Sequence, residues 1–278
     1  MATPVAPYAF CFTSVQGGTL RSLFELLSVI VHDVSVVVSA EGIKVLTADG
    51  VRNILIWLRL SPEGFEHFEC NGLHRVGINV SAVHKLLKTA ASHDTISMFM
   101  LKDRTEMLGI RITNPEKRIT TEFSLGLLDV NFEEITCPDV SFEAVVTLPS
   151  AFFQRLCRDA SHLSEHLVLS VENTTCTFAC SSDAASQKTV IEPAVDGKHV
   201  VTITWTDEGA DGGADEGTRE PIVGKYDLKY LTCFAKATGL SPQLELFFKR
   251  DYPLVMQFSV SSLGTLRFAL ANLAARVD

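Results

Sequence analysis

The sequence predicts an α+β fold of two similar domains, each with a pair of amphipathic helices and strands in sheets buried on one face. Three observations lead there. Most of the chain alternates apolar and polar residues with a period of two, as strands buried on one face do. Four short segments carry an apolar stripe at helical spacing instead. The succession of helices and strands then begins again after residue 142, an internal duplication. The length fits, since 278 residues amount to about two domains at roughly 150 each. With 46% hydrophobic and 21% charged residues, disorder throughout is excluded.

Residues 19–31 are the first predicted helix, with Leu20, Leu23, Phe24, Leu27 and Val31 on its apolar face and Arg21 and Ser28 opposite. A strand follows at 34–40. At 54–60, Ile54, Ile56, Leu58 and Leu60 alternate with Leu55, Trp57 and Arg59. The second helix, 80–91, places Val80, Val83, Leu86, Leu87 and Ala90 on one face and Lys85 and Lys88 on the other. Strands are expected at 95–101, 107–113 and 118–125. Residues 1–125 then make the first domain. The acidic, aperiodic stretch 126–141 is read as a connector.

The second domain, 142–278, opens with a strand at 142–148. The helix at 150–163 turns Phe152, Leu156, Ala160 and Leu163 inward and Arg155, Arg158 and His162 outward. Strands are expected at 167–172, 175–180 and 200–205. A Gly-rich acidic stretch, 206–220, reads as a surface loop. The fourth helix, 226–238, buries Leu228, Leu231, Phe234 and Ala235, and stacks Lys229 and Lys236 on the other side. Strands at 244–249, 254–260 and 264–271 close the domain. Thr19, Ser81 and Ser150 stand where helix caps are expected, and Asp227 lies in the first turn of the fourth helix.

A net charge of −9 excludes a uniformly basic nucleic-acid coat. The helices run against that trend. Seven Lys or Arg (Arg21, Lys85, Lys88, Arg155, Arg158, Lys229 and Lys236) face three acids, Glu25, Asp159 and Asp227. On one helix this is an ordinary solvated face. Repeated over four helices it makes a positive surface suited to phosphate backbones. No Asn–Arg cluster is placed to read base edges, and Tyr230 is the sole aromatic near the stripe. The expected ligand is a duplex, held loosely and without sequence preference.

Other chemistries have little support. No apolar run approaches the 18 residues of a membrane span, and MATPVAPYAF lacks the basic and apolar regions of a secretory signal. Seven scattered cysteines without a CxxC pair read as free thiols of a reducing compartment. His162, Glu165 and His166 follow the order of an inverted zinc motif, but no third ligand is identifiable. Gly72 and Gly77 are not followed by the Lys–Ser/Thr of a phosphate loop.

Several segments nevertheless resemble one family. INVSAVHKLLKTAASHDTISM (78–98), LPSAFFQRLCRDASHLSEHLVLS (148–170), and YDLKYLTCFAKATGLSPQLELFF (226–248) with DYPLVMQFSV (251–260) are similar to the eukaryotic-type DNA sliding clamp, proliferating cell nuclear antigen. GIKVLTADGVRNILIWLRL (42–60) and GFEHFEC (64–70) extend the resemblance over most of the chain. It implies the DNA clamp fold: two similar domains, each with two inner helices and outer antiparallel sheets, in subunits that close head to tail as a homotrimer. It implies a DNA polymerase processivity factor, not an enzyme, with no cofactor and no metal, in the nucleus or at a viral replication site. The implied partners are double-stranded DNA, further copies of the chain, DNA polymerase, a clamp loader and proteins with the family's interaction peptide, with no membrane. A subunit of a heterotrimeric ring, or a monomeric accessory factor that does not encircle DNA, remains the alternative.

The family's DNA-facing positions match Arg21, Lys85, Lys88, Arg155, Arg158, His162, Lys229 and Lys236. Its partner-peptide pocket matches Ala48, Arg52, Ile135, Pro253, Ala269 and Ala271. Here the chain departs from the family. Ala48 replaces a larger apolar residue, Ala269 a tyrosine and Arg52 a histidine. Asn173 stands at the family's ubiquitin-accepting lysine. The resemblance also implies that strands 118–125 and 174–181 lie at open edges and pair between subunits.

Overall fold

The structure is a computed structural model that describes residues 7–49, 52–129, 140–192, 201–206 and 220–275. The chain forms two compact units. The first holds Met1–Asp49, Ile56–Ile135 and Ser259–Leu266, and the second Gly50–Leu55, Thr136–Phe258 and Arg267–Asp278.

The first half of the chain runs β1 (Tyr8–Ser14), α1 (Gly17–Ile30), β2 (Asp33–Ser39), β3 (Gly42–Ala48), β4 (Ile54–Leu60), β5 (His67–Cys70), β6 (His74–Asn79), α2 (Val80–Leu87), β7 (Thr95–Leu101), β8 (Arg104–Asn114) and β9 (Ile119–Gly126). The second runs β10 (Ala144–Pro149), α3 (Ser150–Ser161), β11 (His166–Glu172), β12 (Thr175–Ser181), β13 (Ser186–Ile191), β14 (Thr202–Trp205), β15 (Ile222–Asp227), α4 (Leu228–Phe234), β16 (Gln243–Phe248), β17 (Leu254–Val260) and β18 (Gly264–Leu270). Strand, helix, five strands, helix, three strands therefore occur twice, as the duplication in the sequence predicts. Sheet order repeats as well. The first half has the orders β5-β1-β7-β8-β9 and β4-β3-β2-β6, and the second β14-β10-β16-β17-β18 and β13-β12-β11-β15, with β18 and β4 neighbours in one nine-stranded sheet. Pairing is antiparallel, as where Ile110 of β8 faces Phe123 of β9.

Each helix pair is buried on its apolar stripe. Leu20, Leu23, Leu26 and Leu27 of α1 and Val80, Val83 and Leu87 of α2 join Phe10, Ile56, Ile96 and Ile110 in one core. Phe153, Leu156, Cys157 and Ala160 of α3 and Leu228, Leu231 and Phe234 of α4 join Leu169, Phe178, Met256 and Phe268 in the other. Phe234 stacks on Phe268 at 4.2 Å between centroids. Burial is the main stabilising term here, at roughly 1.5–3 kcal/mol for each large side chain.

Several local expectations are corrected. The inward residue of α3 is Phe153, not Phe152. Because the helix starts at Ser150, the stripe is 153, 156, 157, 160, and Phe152 is half-buried with the Arg155 guanidinium 5.6 Å from its ring centroid. In α1, Leu26 is buried where Phe24 was expected. The caps are Asn79, whose Oδ1 accepts from the Ala82 N–H at 2.8 Å, and Asp227, whose Oδ1 accepts from the Lys229 N–H at 2.8 Å. Thr19, Ser81 and Ser150 do not cap. The fourth helix begins at Leu228 because Tyr226, 3% exposed, still belongs to β15. After Phe234 it tightens into a 3-10 turn over Ala235–Gly239.

Strand β12 (the expected edge at 174–181) is interior, flanked by β11 and β13, so the open edge passes to β13. Strands β1, β3, β5, β6, β13 and β15 are additions to the sequence reading. Of the free cysteines described, Cys176 and Cys180 both point into the core. Connector residues 130–139, most of the acidic loop and Cys137 lie outside the described residues.

Candidate nucleic-acid interface

The four helices carry the expected basic positions at different exposures. Lys85 and Lys88 are exposed on and just after α2, beyond the buried stripe of Val80, Val83 and Leu87. Arg155 and Arg158 are exposed on α3, and His162, also exposed, is the cap residue that follows its last turn. Lys229 at the start of α4 and Lys236 in the 3-10 turn are exposed as well. Asp159 lies 3.6 Å from Arg158, an exposed ion pair worth little in solvent. The Lys229 ammonium sits 5.7 Å from the Tyr230 ring centroid. Burial, partly offset by Lys236, pushes the Cys233 thiol pKa up, so this cysteine adds no negative charge to the stripe.

Arg21 differs from the other seven. It is half-buried, and its Nη1 donates to the Ala90 carbonyl at 2.9 Å. The exposed residues of α1 are instead Glu25 and Val29. His84, which the sequence reading passed over, is 9% exposed on α2 and its Nδ1 has no hydrogen-bond partner. Its position on the same side as Val80 and Leu87, at i+4 and i−3, was the available signal.

The pocket positions lie at strand ends. Ala48 closes β3 and is half-buried. Arg52 is exposed with φ 55. Pro253 immediately precedes β17, Ala269 lies in β18 and Ala271 just beyond it, all half-buried. Arg52 and Ala271 are drawn together through Asn53, whose carbonyl accepts the Ala271 N–H at 3.1 Å. Ile135 lies outside the described residues. Asn173 holds φ 47 in the turn between β11 and β12, a left-handed position that asparagine tolerates well.

The inverted zinc motif does not lie on a helix: α3 ends at Ser161, His162 follows it, and His166 opens β11. Among the described residues no group of three or more His, Cys, Asp or Glu is placed to hold a metal. Nor is any described helix long and apolar enough to cross a membrane.

Residues 11–135 match the family model of the proliferating cell nuclear antigen N-terminal domain, and residues 136–273 that of its C-terminal domain. The chain belongs to the proliferating cell nuclear antigen family. It is 35% identical over 266 residues to a probable DNA polymerase sliding clamp of Paramecium bursaria Chlorella virus 1, covering 94% of this chain and 96% of the relative. It is 29% identical over 257 residues to the proliferating cell nuclear antigen of Dictyostelium discoideum, covering 92% and 96%. Its fold is the DNA clamp fold, and its function that of a sliding clamp and DNA polymerase processivity factor. Clamps of this family are binding scaffolds rather than catalysts.

Proposed function

We propose that three copies of this chain close head to tail into a ring that encircles duplex DNA and tethers a polymerase to it. The observation that carries the DNA half is the set of exposed cations on α2, α3 and α4 in a chain of net charge −9. Lys85, Lys88, Arg155, Arg158, His162, Lys229 and Lys236 offer charge to phosphates and no apparatus for reading bases. A ring held by topology gains from such weak contacts, because it slides.

Two open sheet edges support the ring. Among the described residues, six strands end a sheet: β5, β6, β9, β13, β14 and β15. On β6, the Gly77 carbonyl accepts the Leu128 N–H at 2.8 Å. On β15, the Lys225 N–H donates to Asn272 Oδ1 at 3.0 Å. Strands β5 and β14 are four residues long. That leaves β9, with eight residues, and β13, with six, as the long edges, and among the described residues no segment pairs with their outer sides. Each shows solvent a large apolar side chain, Ile119 at 55% and Val190 at 45%. Long open edges invite strand addition, and joining β9 of one copy to β13 of the next gives a heterologous contact that closes when the rotation allows.

Polymerase, loader and other partner peptides would dock around Ala48, Arg52, Ile135, Pro253, Ala269 and Ala271, at sites of DNA replication in a nucleus or an infected cell. Calorimetry with a family interaction peptide checks this: Pro253→Asp abolishes binding, and unchanged binding contradicts it. The DNA reading is tested by changing Lys85, Lys88, Arg158 and Lys236 together to alanine. Duplex association weakens equally for all sequences, and less at high salt. A sequence-dependent loss contradicts a backbone-only interface.

A further inference from the structure

In both halves of the chain the fifth residue of the first helix donates a side-chain hydrogen bond to a backbone carbonyl at or beyond the end of the second helix. In the first half, Arg21 is the fifth residue of α1, and its Nη1 donates to the Ala90 carbonyl at 2.9 Å, just past α2. In the second, Gln154 is the fifth residue of α3, and its Nε2 donates to the Ala235 carbonyl at 3.1 Å, at the end of α4. The last carbonyls of a helix lack partners within the helix, and a cation there also meets the negative end of its dipole. The Ala235 carbonyl accepts from the Thr238 hydroxyl as well as from Gln154, and the Ala90 carbonyl stands in the turn just beyond α2.

The surroundings of Arg21 fit the same purpose. A Cβ on Gly17 would stand 2.4 Å from the Asp94 carbonyl oxygen, so only glycine lets the start of α1 approach the turn that follows α2 this closely. In that turn, Asp94 (5% exposed) accepts from the Ala91 N–H at 2.8 Å and from Asn114 Nδ2 at 2.7 Å.

We propose that Arg21 is a positioning residue: it ties α1 to the turn that follows α2, thereby sets where Lys85 and Lys88 stand, and does not itself hold phosphate. This deepens the duplex-binding reading and rests on it. The half-buried Arg21 and its bond carry the argument, and the second half supports it, because a neutral glutamine at the matching helix position makes a comparable bond about one turn earlier. A further consequence is asymmetry. The first half presents Lys85 and Lys88 as its phosphate contacts, and the second Arg155, Arg158, Lys229 and Lys236.

The test compares Arg21→Gln, Arg21→Ala and Lys85→Gln in two measurements. One is the slope of log affinity against log salt for a short linear duplex, where each lost phosphate contact lowers the slope by about 0.9. The other is amide hydrogen exchange over residues 84–91. The expected result is a wild-type slope for Arg21→Gln, a reduced slope for Lys85→Gln, and faster exchange over 84–91 in Arg21→Ala alone. A slope reduced as much by Arg21→Gln as by Lys85→Gln overturns the proposal, and so does unchanged exchange in Arg21→Ala. If Lys85→Gln leaves the slope untouched, the duplex interface fails instead, and the exchange data still decide the tethering role.

Discussion

His84 is the residue whose environment most clearly departs from what its neighbours in sequence suggest. It sits between Lys85 and Val83 on a basic helix, yet is 9% exposed with an unpartnered Nδ1. Burial lowers its pKa, Lys88 lowers it further, and Glu25 pulls the other way. The native state therefore favours neutral imidazole. Below the ordinary histidine value of about 6.5 the unfolded chain binds the extra proton first, so stability falls as the pH drops from there toward the lower folded value. We expect the urea midpoint of His84→Gln to change less between about pH 7 and about pH 5.5 than that of the wild type. An equal change in both would show that His84 carries none of the pH dependence. The seven exposed basic positions were legible in the sequence because an apolar stripe fixes the opposite face. Arg21 was not. Its angular position on α1 matches a solvated residue, and what decides its contact is a carbonyl 69 residues away.

At the scale of elements, β7 and β8 meet where Phe99 faces Gly109 across the ladder. A Cβ on Gly109 would lie 2.4 Å from the Phe99 ring, so the ring occupies the space that a side chain would need. Phe99 is 4% exposed, and the Arg111 guanidinium stands 5.0 Å from its centroid, leaving the ring little freedom to move. Gly109→Ala should cost about 1–3 kcal/mol through overpacking, read as a lower urea midpoint. A midpoint within error of the wild type would mean that the ring shifts freely. All four helices were legible, since two to four turns of apolar spacing mark a helix even where the exact inward residues shift by one or two positions. Their boundaries were less so, because Tyr226 alternates as a strand residue and adjoins a helical stripe. Short strands such as His67–Cys70 and Ser186–Ile191 lacked a signal: four to six mixed residues do not establish a period, and tertiary pairing decides them.

For the whole molecule, the duplication in sequence gave the order of elements and most of the architecture, whereas the open edge was misplaced by one strand. That difference matters, because β13 and not β12 is available to a neighbour. Ile119→Lys and Val190→Asp each place a charge on an edge that is exposed in the single chain. Each variant should keep the circular dichroism of the wild type and yet elute as a monomer with light-scattering detection, while the wild type elutes as a trimer. A trimer that persists in both variants would place the contact elsewhere. The central claim is encirclement, and the most direct measurement is association with one duplex sequence in three forms: linear with free ends, linear with both ends blocked by bulky protein, and covalently closed circular. A closed ring threads only over a free end. Salt-resistant association with the free-ended form alone is the result the account predicts, and equal association with all three forms would contradict it.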